Sequence, residues 1–172
     1  MSSMAAYFLL CVVFPFLMAY AAASDLLTMR ISNRVTGLVF AGFVLYAVAS
    51  GMALTDLSLH LAAGALTLVV TFVLFARGWI GGGDAKLAAS TALWIGLGHL
   101  SDYLILASIL GGPLTLSIVC ARRYPLPKLA MKFPFAVHLH DTKTGVPYGI
   151  ALAAAALVVL PSAVGLDQLA LP

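Results

Sequence analysis

Six stretches of nearly unbroken apolar sequence alternate with polar connections along this chain. They run over roughly 4–24, 36–54, 57–76, 83–101, 103–120 and 148–166, each close to the ~20 residues that cross bilayer hydrocarbon as a helix. A helix satisfies its own backbone groups in lipid, which irregular chain does not. The pattern predicts an all-α, polytopic membrane protein: six transmembrane helices in a single domain over 1–172. The one long connection, 121–147, carries Pro125, Pro127, Pro134 and Pro147, which disfavour a continuous helix there. Gly111-Gly112-Pro113 predicts a kink inside the fifth helix.

Charge orients the pattern. The chain is 63% hydrophobic and 9% charged, too apolar for the surface of a soluble domain. With six spans, the connections 25–35, 77–86 and 121–147 share one side. They hold Arg30, Arg34, Arg77, Lys86, Arg122, Arg123, Lys128, Lys132 and Lys143, which is every Lys and Arg present. The other side keeps Asp56, Asp102 and Asp167. The positive-inside rule places the basic side in the cytoplasm and both termini outside, as in a bacterial inner membrane. The basic pI therefore reflects topology, and no nucleic-acid partner is implied. A cleaved signal peptide ending near Ala21-Ala22-Ala23 is the rival reading of the start. It lacks a basic n-region and would place Arg30 and Arg34 outside.

All six acids are Asp. The absence of Glu excludes a His-Glu-x-x-His zinc protease, and Cys11 and Cys120 form no Cys-x-x-Cys pair. Two aspartates stand out, each where an apolar stretch meets a basic connection. Asp25 opens Asp25-Leu-Leu-Thr-Met-Arg-Ile31-Ser-Asn33, and Asp84 ends Gly81-Gly82-Gly83-Asp84, with Lys86 two residues on. An acid at that depth is costly and is a functional-site candidate. The two share a level in the membrane and, if they meet, make a proton-sharing dyad. Bland accounts stand beside this one. Asp84 can N-cap the fourth helix, and Asp25 can pair with Arg30 or Arg34 at the interface. Gly81, Gly82 and Gly83 give a turn, or room for an extended peptide to approach. Lys86 tunes Asp84, binds substrate or snorkels.

Asp25-x5-Ile31-x-Asn33, Gly-Gly-Gly-Asp84-x-Lys86 and Val146-Pro147-Tyr148-Gly149 together resemble the type IV prepilin peptidases, intramembrane aspartic proteases of the Gly-x-Gly-Asp class. The resemblance implies that Asp25 and Asp84 are catalytic. Gly81, Gly82, Gly83, Lys86, Asn33, Pro147 and Gly149 are then substrate-binding or supporting. It also implies a prepilin or pseudopilin substrate, cut after its basic leader at the cytoplasmic face, with no cofactor and no metal. Ser32 stands where the family usually has Pro, a change expected to alter loop stiffness rather than chemistry. The chain has no cysteine-paired cytoplasmic domain. It therefore resembles the short, peptidase-only form found with tight-adherence (Flp) pili, and methyltransferase activity is not expected.

Other polar features weigh less. His138, His140 and Asp141 suggest a metal cluster but read as a solvated loop. His60 and His99 belong at the outer interface, and Trp79 at the inner one. The 121–147 segment reads as a linker lying on the inner leaflet, or as a substrate-docking surface. A small transporter or channel would want polar groups near the midplane. A rhomboid-like serine protease would need a nucleophile motif that is missing. A non-catalytic subunit of a secretion assembly would tolerate conservative changes at both aspartates.

Overall fold

A computed structural model describes residues 2–142 and 144–164; Lys143, Asp167 and the end of the sixth apolar stretch lie outside the described residues. Within that range every regular element is helical. Helix α1 (Ser2–Phe8) passes through a π-helical turn (Leu9–Val13) into α2 (Phe14–Thr28). Pro15, which has no N–H to continue the ladder, lies just past that turn, where Phe14 N–H reaches back five residues to Leu9 O. The remaining helices are α3 (Asn33–Ser50), α4 (Leu54–Ala76), α5 (Gly82–Ile95), α6 (Leu100–Ala121), α7 (Pro134–His140) and α8 (Gly149–Ala163).

Four segments are long and apolar enough to cross a membrane: Met4–Thr28, Asn33–Ser50, Leu54–Ala76 and Leu97–Ala121. They mark the chain as a membrane protein. The other two expected spans are shorter helices: α5 and, as far as the described residues reach, α8. At 1.5 Å per residue, the 14 residues of α5 reach only about 21 Å, against ~30 Å of hydrocarbon. Gly96, at φ 75°, ends α5 where sequence reading ran the span to 101. The His60 ring packs where a side chain on Gly96 would lie. Shortness is tolerated because α5 is interior, packed by α3, α4 and α8. Its Ala85, Ala88, Ala89, Ser90 and Ala92 are all buried, and such small side chains let neighbouring backbones approach closely.

The core is built around Trp94 on α5, which is fully buried. Phe14 and Phe43 pack on its ring, with centroids 4.8 and 6.2 Å away, and its indole N–H donates to Val39 O at 2.9 Å. Gly42 leaves space for that ring: a Cβ there would lie 3.1 Å from it.

The expected connections shorten as well. Asp25 lies inside α2, and Asp84 and Lys86 lie inside α5, so the first two connections reduce to residues 29–32 and 77–81. The 121–147 segment contains a 3-10 turn (Ala130–Lys132) and α7, with Pro134 at its first position. α6 runs on through Pro113 rather than stopping.

Candidate active site

The site forms where the α2–α3 turn, the start of α5 and the start of α8 come together. Asp25 sits one turn before the end of α2, and only 5% of its surface is exposed. Met29, in the left-handed region at φ 53°, closes α2 by donating to Asp25 O at 2.8 Å. Ser24 Oγ and Thr28 Oγ1 bond the Arg30 carbonyl at 2.9 and 3.3 Å, which stitches the turn. Ser32 N-caps α3, its hydroxyl accepting from Val35 N–H at 3.4 Å. That cap is what the serine does in place of a proline.

The glycine run is shaped by close approach. A Cβ on Gly83 would lie 3.1 Å from Ile31 Cβ, so the start of α5 seats directly on the α2–α3 turn. A Cβ on Gly82 would lie 3.1 Å from the Phe75 ring. The N-cap of α5 is Gly81, which corrects the reading of Asp84 as the cap. Asp84 is the third helical residue, and its carboxyl turns back so that a Cβ on Gly81 would lie 2.9 Å from Oδ2. This is the reach-back half of a capping box.

The third element supplies what holds Asp25. Gly149 opens α8, and its N–H donates to Asp25 Oδ2 at 2.8 Å. The first N–H groups of a helix have no partner of their own, so a buried carboxylate is a natural acceptor. Asp25, Asp84, Ile31, Asn33 and the three glycines line one cavity of about 410 Å³. Asp25 and Asp84 are thus brought to one cavity, with Gly149 holding Asp25.

Lys86 is not part of that group. It lies two residues beyond Asp84 on the helix and donates from Nζ to Asn33 Oδ1 at 2.9 Å, tying α5 to α3. Asn33 therefore faces the acid cavity on one side and Lys86 on the other. Pro147 is buried in the turn that leads into α8.

Three residues outside the sequence-derived set hold Gly149 in place. Tyr148 donates its hydroxyl to Ala107 O at 3.1 Å, and its ring fills the space a side chain on Gly111 would need. Gly111, in the Gly111-Gly112-Pro113 sequence where a kink is expected, is also the socket for Tyr148. Arg122, at the end of α6, donates to Leu139 O (2.7 Å), Gly145 O (2.9 Å) and both Thr144 O and Oγ1 (3.3 Å). It clamps the end of α7 and the strand of chain that leads to Gly149. Only the Gly-Gly spacing signalled Gly111; nothing in the sequence distinguished Arg122 from its neighbour Arg123.

A family model described as the type IV leader peptidase family matches residues 12–116, well over half of the 172-residue chain. The chain belongs to the type IV leader peptidase family. The matched segment contains both aspartates, the glycine run, Asn33 and Lys86. Gly149 and Arg122 lie beyond it. No curated protein and no solved structure matches the chain significantly. Membership makes the chain a peptidase, and a prepilin-type peptidase implies a prepilin substrate.

His138 and His140 lie on the last turn of α7, and Asp141 caps its end. Among the described residues there is no group of three or more His, Cys, Asp or Glu able to hold a metal. At the far end of the bundle, His60 bonds Leu93 O at 2.6 Å and His99 pairs with Asp102 at 3.1 Å.

Proposed function

We propose that this leader peptidase is an intramembrane aspartic endopeptidase. Asp25 and Asp84 form its dyad, and it removes the basic leader of a type IV or Flp prepilin or pseudopilin. The observation that carries the reading is that two acids 59 positions apart in sequence line one cavity, where the Gly149 amide holds one of them. Two carboxylates so placed hold one proton between them. The ionised partner takes a proton from a water as it attacks the scissile carbonyl. The protonated partner donates to that carbonyl and then to the leaving amine. Asp25 is fixed by the Gly149 N–H, so its attitude is set before substrate arrives.

Position in the membrane follows from charge. The connections that form the site carry the basic residues, so the cavity opens at the cytoplasmic face of the inner membrane, with both termini periplasmic. In this reading α5 and α8 complete a single six-helix peptidase domain, with α5 shielded from lipid by its neighbours. The chemistry in this reading uses neither metal nor cofactor and involves no methyl transfer. Transport is less well supported, because the paired acids lie at one end of the bundle rather than at mid-depth.

The experiment is single replacement of Asp25 and Asp84 by Asn, with processing of a prepilin followed in membranes. Each variant should accumulate to the parent level and leave the leader attached. Parent-level processing by either variant overturns the dyad.

A further inference from the structure

Beside the acid cavity, and joined to it at Asn33, lies a second concavity that the chemistry above does not use. α3 and α4 both pack on α5 and touch each other little. Between them runs a groove of about 500 Å³, with α5 as its floor and Phe40, Leu61 and Leu68 half exposed along its rims. Its upper end is closed by the Lys86–Asn33 hydrogen bond. From there it descends along α5, past Ala89 to Leu93, toward the bilayer interior.

The walls are unusual in what they omit. Gly64 is required by the fold, since the Leu93 side chain occupies the place its Cβ would take. Gly37 on α3 is different: a Cβ there would meet nothing within 4 Å. The protein's own packing does not call for a glycine at that position, and its φ is ordinary. Glycine in a helix interior costs roughly 0.5–1 kcal/mol against alanine. The open space it leaves is on the groove side, where backbone approach by another helix would use it.

We infer that this groove, apolar along its walls, seats an apolar helical segment of the substrate beyond the cut. The inference rests on the peptidase reading and adds where the substrate lies. Continuity decides the occupant. Asn33 lines both the acid cavity and the groove, so a chain whose scissile bond is held between Asp25 and Asp84 reaches the groove by crossing the Lys86–Asn33 pair. A lipid chain could fill the same apolar space but would have no link to the cut. A second groove, between α2 and α3, also reaches Asn33, but Phe16, Tyr20 and Leu38 wall it, and these keep a neighbouring backbone at a distance.

Cross-linking tests the placement. In the full chain with Cys11→Ala, Cys120→Ala and Asp84→Asn, a single cysteine is placed at Gly37, Leu38 or Gly112. A prepilin carrying one cysteine in its apolar helix is then co-expressed and the membranes are oxidised. Gly37→Cys should cross-link. Leu38→Cys, on the other groove, and Gly112→Cys, on α6 with open space around it, should not. Cross-linking at Leu38→Cys alone, equally at all three, or at none overturns the proposal. A kinetic arm uses Gly37→Leu in the otherwise native chain. The ratio of kcat/KM for a helix-bearing prepilin to that for a leader peptide ending a few residues past the cut should fall about tenfold, as overpacking of a filled site predicts. An unchanged ratio also overturns it. Failure of the peptidase reading would look different: the parent enzyme would cut neither substrate.

Discussion

Gly149→Ala isolates the contact that unites the site. A Cβ at position 149 would lie 2.7 Å from Ile31 Cδ1, 2.8 Å from Asp25 Oδ2 and 3.2 Å from Asp25 Cβ. The ordinary C···O contact distance is about 3.3 Å, so the carboxylate must retreat by roughly half an ångström. Rotation of Asp25 relieves the Oδ2 clash but not the one with its Cβ, and Ile31 is buried with little room to swing. Part of the strain therefore passes to the backbone of α8. Overpacking of this kind costs about 1–3 kcal/mol of stability. A misplacement of about 1 Å at a reacting group costs on the order of 10²-fold, so half of that predicts a kcat lower by about tenfold or somewhat more. The assay is leader cleavage by purified enzyme in liposomes, with thermal unfolding measured on the same samples. Gly37→Ala is the reference for folding, because it meets nothing and should raise stability slightly. A Gly149→Ala enzyme with parental kcat and parental Tm would refute the claim that Gly149 is glycine because Asp25 is there.

The remaining predictions probe the parts around that contact. Asp25→Asn keeps an acceptor for the Gly149 N–H, and Asp84→Asn is isosteric, so both should unfold within about 1 kcal/mol of the parent while losing at least ~10²-fold in processing rate; a large fall in Tm would mean that the loss is structural. Arg122→Lys retains the charge but not the fork that reaches Leu139, Thr144 and Gly145, so it should lower kcat roughly tenfold, and Arg122→Ala should do no better; equal rates for Lys and Arg would show that charge alone suffices. Gly111→Ala should destabilise by about 1–3 kcal/mol because the Tyr148 ring fills its place, and combining it with Tyr148→Ala should recover part of that loss. Additive losses in the double variant would place the strain elsewhere.

Much of the fold is written in hydropathy. Length and apolarity suffice to find helices, because lipid leaves the backbone no alternative. They do not say how far a helix must reach. α5 has the apolar content of a span but is enclosed by its neighbours, so its length is set by packing around Trp94 and by the turn at Gly96 rather than by bilayer thickness. Helix ends were likewise placed too early or too late where charge was the guide. Asp25 reads as a residue of the connection because it is an acid, yet it sits on α2, held by a backbone N–H that single-residue hydropathy does not register, and Asp84, read as the cap of its helix, lies three residues inside it.

The acids were legible because burial of a carboxylate demands a reason, and the glycines because three in a row before an acid make poor helix. The partner that holds Asp25 was not. A backbone N–H is carried by nearly every residue, so no residue type advertises that Gly149, 124 positions from Asp25, will be the donor. Its choice is dictated by geometry at three removes. Arg122 fixes the approach of the chain, Tyr148 anchors in the Gly111 socket on α6, and Ile31 leaves space only for hydrogen at Cα. Each step is a steric or hydrogen-bonding constraint between distant segments. Together they explain why a site built on α2 and α5 depends on α6 and α8, whose amide and socket carry no chemistry of their own. The same logic separates the two kinds of glycine here. Gly149, Gly83 and Gly111 are small because another part of this chain occupies the space, whereas Gly37, like Gly112, has nothing beside it and differs from Gly112 in lining the groove that adjoins the acids.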